Sequence, residues 1–499
     1  MSATQRTIRP ETALRAPSLR LDGVVPQWTS ASDGLRPTPA IYLSVGLVAG
    51  AVVALQIAVM RVFAIGNWAH VGSLVVSLAM LGFGLTGAVM CTAKGWFERN
   101  WQWAAALALM LFGPLIVSAH LLARQIPVEA MFLASDPALK WRLFASFILY
   151  MLPFLAGALF LGIVFLKARR VFGRVYFADL TGSGLCGLLI LGAMSVIAPQ
   201  SLLIVPLLLW LAGGALWFWA TGRVRAVAWI GLVAVASIGL YAAGPLAGSP
   251  APIAADAPEP MRAEWSRVLA WSILAVASIA ALSLVVLPLV YGWRTILSRN
   301  PGKLRTIGYF ACLGAGYVMV EVGLIAQFSK ALGNATISAS VLITGMLVFS
   351  GLGSLASERY LDGARTIMPK LFLAIGAMLI GYGLALDRAL EWIGALPYAL
   401  RLVVCFVLIL PPAFLMGLPM PIAMAWLSRL GKDHMFLWAW SINGCFAVVG
   451  AALVPVIAVS FGLAAVLVVS GCAYLLAMLG FFAILLPLTA PARTESRRT

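Results

Sequence analysis

The sequence predicts an all-α polytopic membrane protein with about fourteen transmembrane helices. Three observations carry that expectation: the apolar composition, the alternation of basic loops, and an internal repeat. Of the 499 residues 62% are hydrophobic and 10% charged, against about 25% charged in soluble domains. The apolar residues fall in runs of about 20 or more, enough to cross a hydrocarbon core roughly 30 Å thick.

In order, the expected spans are 40–63, 69–93, 103–123, 142–166, 175–197, 200–220, 226–245, 268–291, 307–328, 335–356, 369–386, 398–426, 436–459 and 463–487. An even number puts both termini on one side. With those termini inside, 25 of the 34 Lys and Arg residues fall on the cytoplasmic segments. The longest outer loop, GSPAPIAADAPEPMRAEW, holds Asp256, Glu259 and Glu264. Positively charged loops stay in the cytoplasm, so the formal charge of +17 reports topology, and nucleic acid is not an expected partner.

Residues 1–39 are polar, with Arg6, Arg9, Arg15, Arg20 and Arg36. They lack the apolar core and cleavage site of a secretory signal and read as a disordered cytoplasmic tail, as does 488–499. The six cysteines form no CxxC pair and lie almost entirely within apolar spans, as expected of buried free thiols.

Residues 66–89, GNWAHVGSLVVSLAMLGFGLTGAV, align without a gap on 333–356, GNATISASVLITGMLVFSGLGSLA. Gly66-Asn67 falls over Gly333-Asn334, Ser73 over Ser340, and Gly84-Leu85 over Gly351-Leu352. Further on, PFLAG (153–157) recurs as PAFLMG (412–417), and Thr181-Gly182 falls over Asn443-Gly444. Residues 40–220 therefore form one six-helix repeat and 307–487 another. Residues 221–306 supply two linking helices and the outer loop. Six is even, so the repeats are parallel, which is the major-facilitator-like plan.

The stretch YFADLTGSGLCG (176–187) contains Gly182, Gly184 and Gly187 as G-x-G-x-x-G. A dinucleotide turn needs a strand before it and an acid about 20 residues on. After Asp179 the next acid is Asp256, and LGFGLTG in 81–87 repeats the glycine pattern. Close helix packing through small residues is the better reading, and no cofactor is expected.

Ionisable groups within membrane helices are costly and mark functional candidates. Glu321 lies deep in span nine. Gln56 has a similar depth in span one, with Arg61 five residues later. His70 opens span two, and Asp179 lies near the start of span five. Arg61 either snorkels to the surface or serves as counter-charge to Glu321. His70 is either interfacial or part of the site. Asp179 either pairs with Arg174 or is functional. His120 and His434, at span ends, read as surface residues. HExxH, GxSxG and a phosphate loop are absent from the sequence and the histidines lack metal-site spacing, so the reading leans away from an enzyme; an intramembrane enzyme acting on a lipid-borne substrate through Glu321, Arg61 and His70 stays open as a third alternative.

Several stretches together resemble the membrane portion of the bacterial spermidine synthase-like family, which includes fused major-facilitator–spermidine synthases. They are GYFACLGAGYVMVEVGLIAQF (308–328), LGNATISASVLITGMLVFSGLGSLAS (332–357), ALQIAVMRVFAIGNWAHVGSLVVSLAMLGFG (54–84), VYFADLTGSG (175–184) and WAWSINGCFAVVG (438–450). The resemblance draws Glu321, Gln327 and Asn443 into the candidate site. It also shows two departures: Gln56 stands where the family has glutamate, and no segment has room for a soluble aminopropyltransferase domain of at least ~100 residues.

The functional expectation is a multi-pass bacterial inner-membrane transporter for a small polar or cationic solute, polyamine-like or amino-acid-like. Gln56, Arg61, His70, Asp179, Glu321, Gln327 and Asn443 are its candidate binding or proton-coupling residues. The rival expectation is a non-transporting membrane subunit that docks a separate soluble methyltransferase- or aminopropyltransferase-like enzyme on its cytoplasmic face.

Overall fold

A backbone inside lipid must satisfy its own N–H and C=O groups, which leaves the α-helix as the spanning form for a chain without barrel patterning. The computed structural model describes residues 35, 37–64, 71–126, 137–198, 201–243, 303–429 and 435–484, all within the unit Leu35–Thr499. Every regular element among them is helical.

The helices are α1 (Pro39–Ala64), α2 (Val71–Thr92), α3 (Lys94–Ala123), α4 (Pro137–Lys167), α5 (Phe172–Ala193), α6 (Ile204–Ala220) and α7 (Val224–Ala243). After the undescribed segment come α8 (Lys303–Leu332), α9 (Ala335–Ser357), α10 (Ala364–Gly394), α11 (Tyr398–Met416), α12 (Pro419–Arg429), α13 (Phe436–Phe461) and α14 (Leu463–Ile484). Eleven spans among the described residues are long and apolar enough to cross a membrane, and two shorter apolar helices, Leu78–Thr92 and Ile204–Ala220, stand at expected spans two and six. The expected span 268–291 lies outside the described residues, as do the N-terminal tail through residue 34, the outer loop and the C-terminal tail.

Several boundaries differ from the sequence expectation. The helix expected over 103–123 begins at Lys94, with a break at Asn100 (φ −109°, ψ 20°); its added turns carry Lys94, Glu98 and Arg99. The span expected over 398–426 is two helices, α11 and α12, joined at Gly417-Leu418. Pro419 has no N–H to continue the ladder, and its carbonyl accepts a hydrogen bond from the Tyr309 hydroxyl at 2.9 Å.

The helices form two groups. In the first, α1 packs on α5 and α6, and α4 on α2 and α3. In the second, α8 packs on α13 and α14, α10 on α14, and α9 on α11. Two seams join the groups, α5 with α9 and α2 with α13. The linking helix α7 lies against α3 and α6, with Ile230 filling the notch left by Gly214; Trp229, Leu232 and Val235 on its other side are exposed.

The seams are built on glycine. At Gly182 a Cβ would strike the backbone of Gly46, so α5 and α1 touch main chain to main chain. Gly184 and Gly187 face Thr344 and Val348 of α9. The G-x-G-x-x-G is thus a packing surface. Across the seams, Gly351 of α9 meets Thr181 of α5, and Gly84 of α2 meets Cys445 beside Asn443-Gly444 of α13. These are the residues that superpose in the sequence alignment, Gly84 over Gly351 and Thr181-Gly182 over Asn443-Gly444.

Aromatic side chains complete the packing, with their polar ends satisfied. Trp210, fully buried, donates its Nε1–H to the Leu109 carbonyl at 2.7 Å. Phe160 and Trp217 meet edge to face at 4.8 Å. His120, expected at the surface, is buried: its Nδ1 lies 3.4 Å from the Tyr150 hydroxyl and its ring meets Tyr241 of α7. A polar pair on neighbouring helices lets this histidine enter the interior. His434 lies outside the described residues. All six cysteines are free; Cys186, Cys405 and Cys445 are buried, Cys91 and Cys312 half-buried, and Cys472 exposed.

A side chain at Gly182 should separate α5 from α1. Gly182→Val is expected to cost at least the 1–3 kcal/mol of an overpacked core, roughly, and to lower the unfolding temperature of the detergent-solubilised protein. Gly192→Ala, where a Cβ meets nothing within 4 Å, should leave it unchanged.

Candidate functional site: two carboxylates between the helix groups

Glu321 stands eighteen residues past the start of α8, roughly 27 Å along it at 1.5 Å per residue. Its side chain is 7% exposed. Among the described residues no side chain or backbone group hydrogen-bonds or ion-pairs with its carboxylate. One turn earlier on the same helix face is Tyr317, half-buried. Its hydroxyl lies 3.1 Å from Ser350 Oγ of α9. Ser350 donates its own proton to the Met346 carbonyl, so the tyrosine O–H is the donor to Ser350.

Asp179 and Tyr176 make the matching arrangement on α5. They are three residues apart, on one face, and both are half-buried. Asp179 also has no hydrogen-bond or ion-pair partner among the described residues. Tyr176 lies within electrostatic reach of Asp179, and Tyr317 within reach of both Glu321 and Tyr176. Tyr176 and Tyr317 thus lie near one another, each with a carboxylate one turn further along its own helix. Among the described residues no basic side chain pairs with either carboxylate.

Beneath this cluster, at the end where α1 starts, the two groups are tied together. Arg174 Nε lies 3.1 and 3.2 Å from the two carboxylate oxygens of Glu358, and Ser354 Oγ donates to the Gly173 carbonyl at 3.0 Å. Arg174 thus pairs with Glu358 across the seam and not with Asp179, which removes the structural role that sequence spacing offered for Asp179.

The remaining candidates are scattered. Gln56 is buried in α1. Arg61 lies in the last turn of α1, half-buried, and makes no ion pair with Glu321. The expectation of an Arg61–Glu321 counter-charge is corrected on this point. Arg61 is about 4–5 Å from the end of its helix and Glu321 roughly 16 Å from the end of α8. His70 lies outside the described residues.

Gln327 is fully buried, and neither its Oε1 nor its Nε2 finds a hydrogen-bond partner. Six residues past Glu321, it points about 240° around the helix, onto the face where Gly323 meets Val466 of α14. It does not join the carboxylates. Asn443 donates its Nδ2–H to the Phe310 carbonyl at 3.4 Å, and its own carbonyl occupies the space beside Gly314. Its visible work is to seat α13 on α8.

The sequence reading missed Tyr176, Tyr317 and Ser350. The signal for the tyrosines was present in Y-x-x-D and Y-x-x-x-E, spacings that stack side chains on one helix face. For Ser350 no local signal existed, since its role depends on how α9 meets α8.

Removing the hydroxyls singly and together should reveal the Tyr317–Ser350 bond. In a Tyr317→Phe and Ser350→Ala double-mutant cycle followed by thermal unfolding, a coupling of about 0.5–1.5 kcal/mol is expected. Additive effects would show that the hydroxyls do not interact.

No protein-family model matches the chain, and no curated protein sequence matches it. Among solved structures, the peptide transporter POT aligns at 15% identity and TM-score 0.50, over 89% of this chain and 93% of that one. An auto-inhibited POT family peptide transporter aligns at 14% identity and TM-score 0.50, over 91% and 99%. The E. coli fucose:proton symporter FucP aligns at 13% identity and TM-score 0.41, over 89% and 97%. The likeness to the two POT structures is one of fold: the chain is a multi-pass membrane protein, helical throughout its described regular elements and arranged like those structures.

Proposed function

We propose that the chain is a transporter that carries a small polar or cationic solute through the space between its two helix groups, with Glu321 as the solute-binding or proton-coupling group. The observation that carries this reading is the Glu321 carboxylate, buried on α8 with no partner among the described residues. A charge left unpaired in a membrane helix destabilises the fold by several kcal/mol, roughly, and such a group is retained for a ligand or a proton. Fold by itself assigns no function. The proteins of like fold are named as transporters, which agrees with this reading without naming the solute.

The finer architecture belongs to the same proposal. We read the chain as fourteen spans in two parallel six-helix repeats, 40–220 and 307–487. The matched glycine contacts at the two seams support the repeat. Both termini would face the cytoplasm of a bacterial inner membrane, on the evidence of loop charge. The resemblance to the membrane portion of spermidine synthase-like proteins is consistent with a cationic amine as solute. A carboxylate buried as deep as Glu321 favours transport over docking, because a soluble enzyme on the cytoplasmic face would not reach it.

Reconstituted in liposomes, the protein is expected to take up a small amine or amino-acid-like solute. Glu321→Gln should reduce uptake by at least about tenfold, a loss of ~1.4 kcal/mol or more, while the protein remains monodisperse. Equal uptake by wild type and Glu321→Gln would remove the basis for the proposal.

A further inference from the structure

The polar end of α3 takes no part in the site around Glu321. The helix has 30 residues, about 45 Å at 1.5 Å per residue, against a hydrocarbon core of roughly 30 Å. Residues 104–123 carry no Lys, Arg, Asp or Glu and are long enough to cross that core. The ten before them, KGWFERNWQW (94–103), add roughly 15 Å at the level of the lipid headgroups.

Two other helix ends meet α3 at that level. Lys167, the last residue of α4, donates its Nζ–H to the Glu98 carbonyl at 2.9 Å and stands 5.7 Å from the centre of the Trp101 ring. Arg223, in the turn between α6 and α7, donates to the Gln102 carbonyl at 3.2 Å and to Gln102 Oε1 at 2.6 Å. Arg99 stands three residues before Gln102 and Arg225 two after Arg223, so chain length alone holds them within about 11 and 8 Å of that contact. Both are exposed, and no described residue hydrogen-bonds or ion-pairs with either. The acid of this corner, Glu98, is already faced by Lys94 at 3.7 Å.

The same end of α3 exposes indole rings. Trp96 and Trp103, 41% and 58% exposed, meet edge to face at 6.0 Å across the break at Asn100. Beyond Trp103, Leu107 and Leu111 are also exposed, at steps of four that keep them on one face. From Arg99 inward, that stripe passes from guanidinium to indole to leucine. Headgroup, glycerol ester and acyl chain follow one another in the same order in a phospholipid.

We propose that this corner binds one anionic phospholipid. Its phosphate meets Arg99, Arg223 and Arg225, its ester region lies against Trp103, and an acyl chain follows Leu107 and Leu111. Arg223 keeps three N–H donors after its two bonds to Gln102, enough for a two-pronged phosphate contact. Indole rings settle at the membrane interface, apolar on one side and wet on the other. A soluble anion or an acidic protein surface engages the guanidiniums but does not follow the stripe into the hydrocarbon. A zwitterionic lipid adds a cation where cations are already in excess. The inference stands apart from the transport reading, and its test reads nothing from uptake.

Lipid binding to the purified full-length protein in neutral detergent is measured by native mass spectrometry, with phosphatidylglycerol and phosphatidylcholine of identical acyl chains. Phosphatidylglycerol is expected to bind at least about tenfold more tightly, the ~1.4 kcal/mol of one further charge-assisted contact. Arg99→Gln with Arg223→Gln should bring that ratio to about one. Arg365→Gln with Lys370→Gln, which removes the same charge from exposed positions on α10, should leave it unchanged. Neither inorganic phosphate nor polyglutamate should displace the bound lipid.

A wild-type ratio near one overturns the proposal, and this comparison needs no variant to fold. An equal loss in the α10 variant shows attraction to net charge alone and overturns the site. Displacement by inorganic phosphate or by polyglutamate assigns the corner to a soluble anion or an acidic protein and overturns the lipid.

Discussion

At Gly182 the backbone of α5 lies directly on that of α1 at Gly46, and the position of almost every group in the site follows from contacts of this kind. Within lipid there is little hydrophobic drive to press helices together, so their association depends on close packing between small residues. Gly84 against Cys445 and Gly351 against Thr181 repeat the device across the seams between the helix groups. Because these contacts involve main chain, they set both the spacing and the rotation of α5 and α9.

The same packing explains why two carboxylates stay unpaired. The basic side chains are spent at the ends of the bundle: Arg174 on Glu358, Lys330 on Asp387 and Arg429 on Asp362, at 2.9 to 3.1 Å. These pairs are largely exposed and contribute roughly 0–1 kcal/mol each. Among the described residues, Asp179 and Glu321 are left without a basic partner.

Much of the architecture was legible in the sequence, because membrane spans are written in long apolar runs and loop charge. The misplacements have local causes. Polar turns before Asn100 extend α3 beyond its apolar run, and Pro419 divides the span over 398–426. The glycine motif was correctly separated from a cofactor turn by the absence of a strand and a following acid. The candidate site was legible in part. Glu321 and Asp179 stood out as acids in apolar sequence, but Arg61, Gln327 and Asn443 were grouped with them by motif and depth alone. Gln327 lies about 240° around α8 from Glu321, and Arg61 makes no ion pair with it, so the group does not gather.

By itself the sequence determined that this chain is a multi-pass helical membrane protein, how its loops alternate in charge, and which few polar residues lie within apolar helices. These are properties of single segments, read from composition and period. Only the tertiary structure decided how those residues are partnered: that Arg174 is committed to Glu358, that Tyr317 meets Ser350, and that His120 is buried. Partnership between helices depends on their rotation and on where glycine lets two backbones meet. Both arise from pairs of segments distant in the chain, and no single segment encodes them.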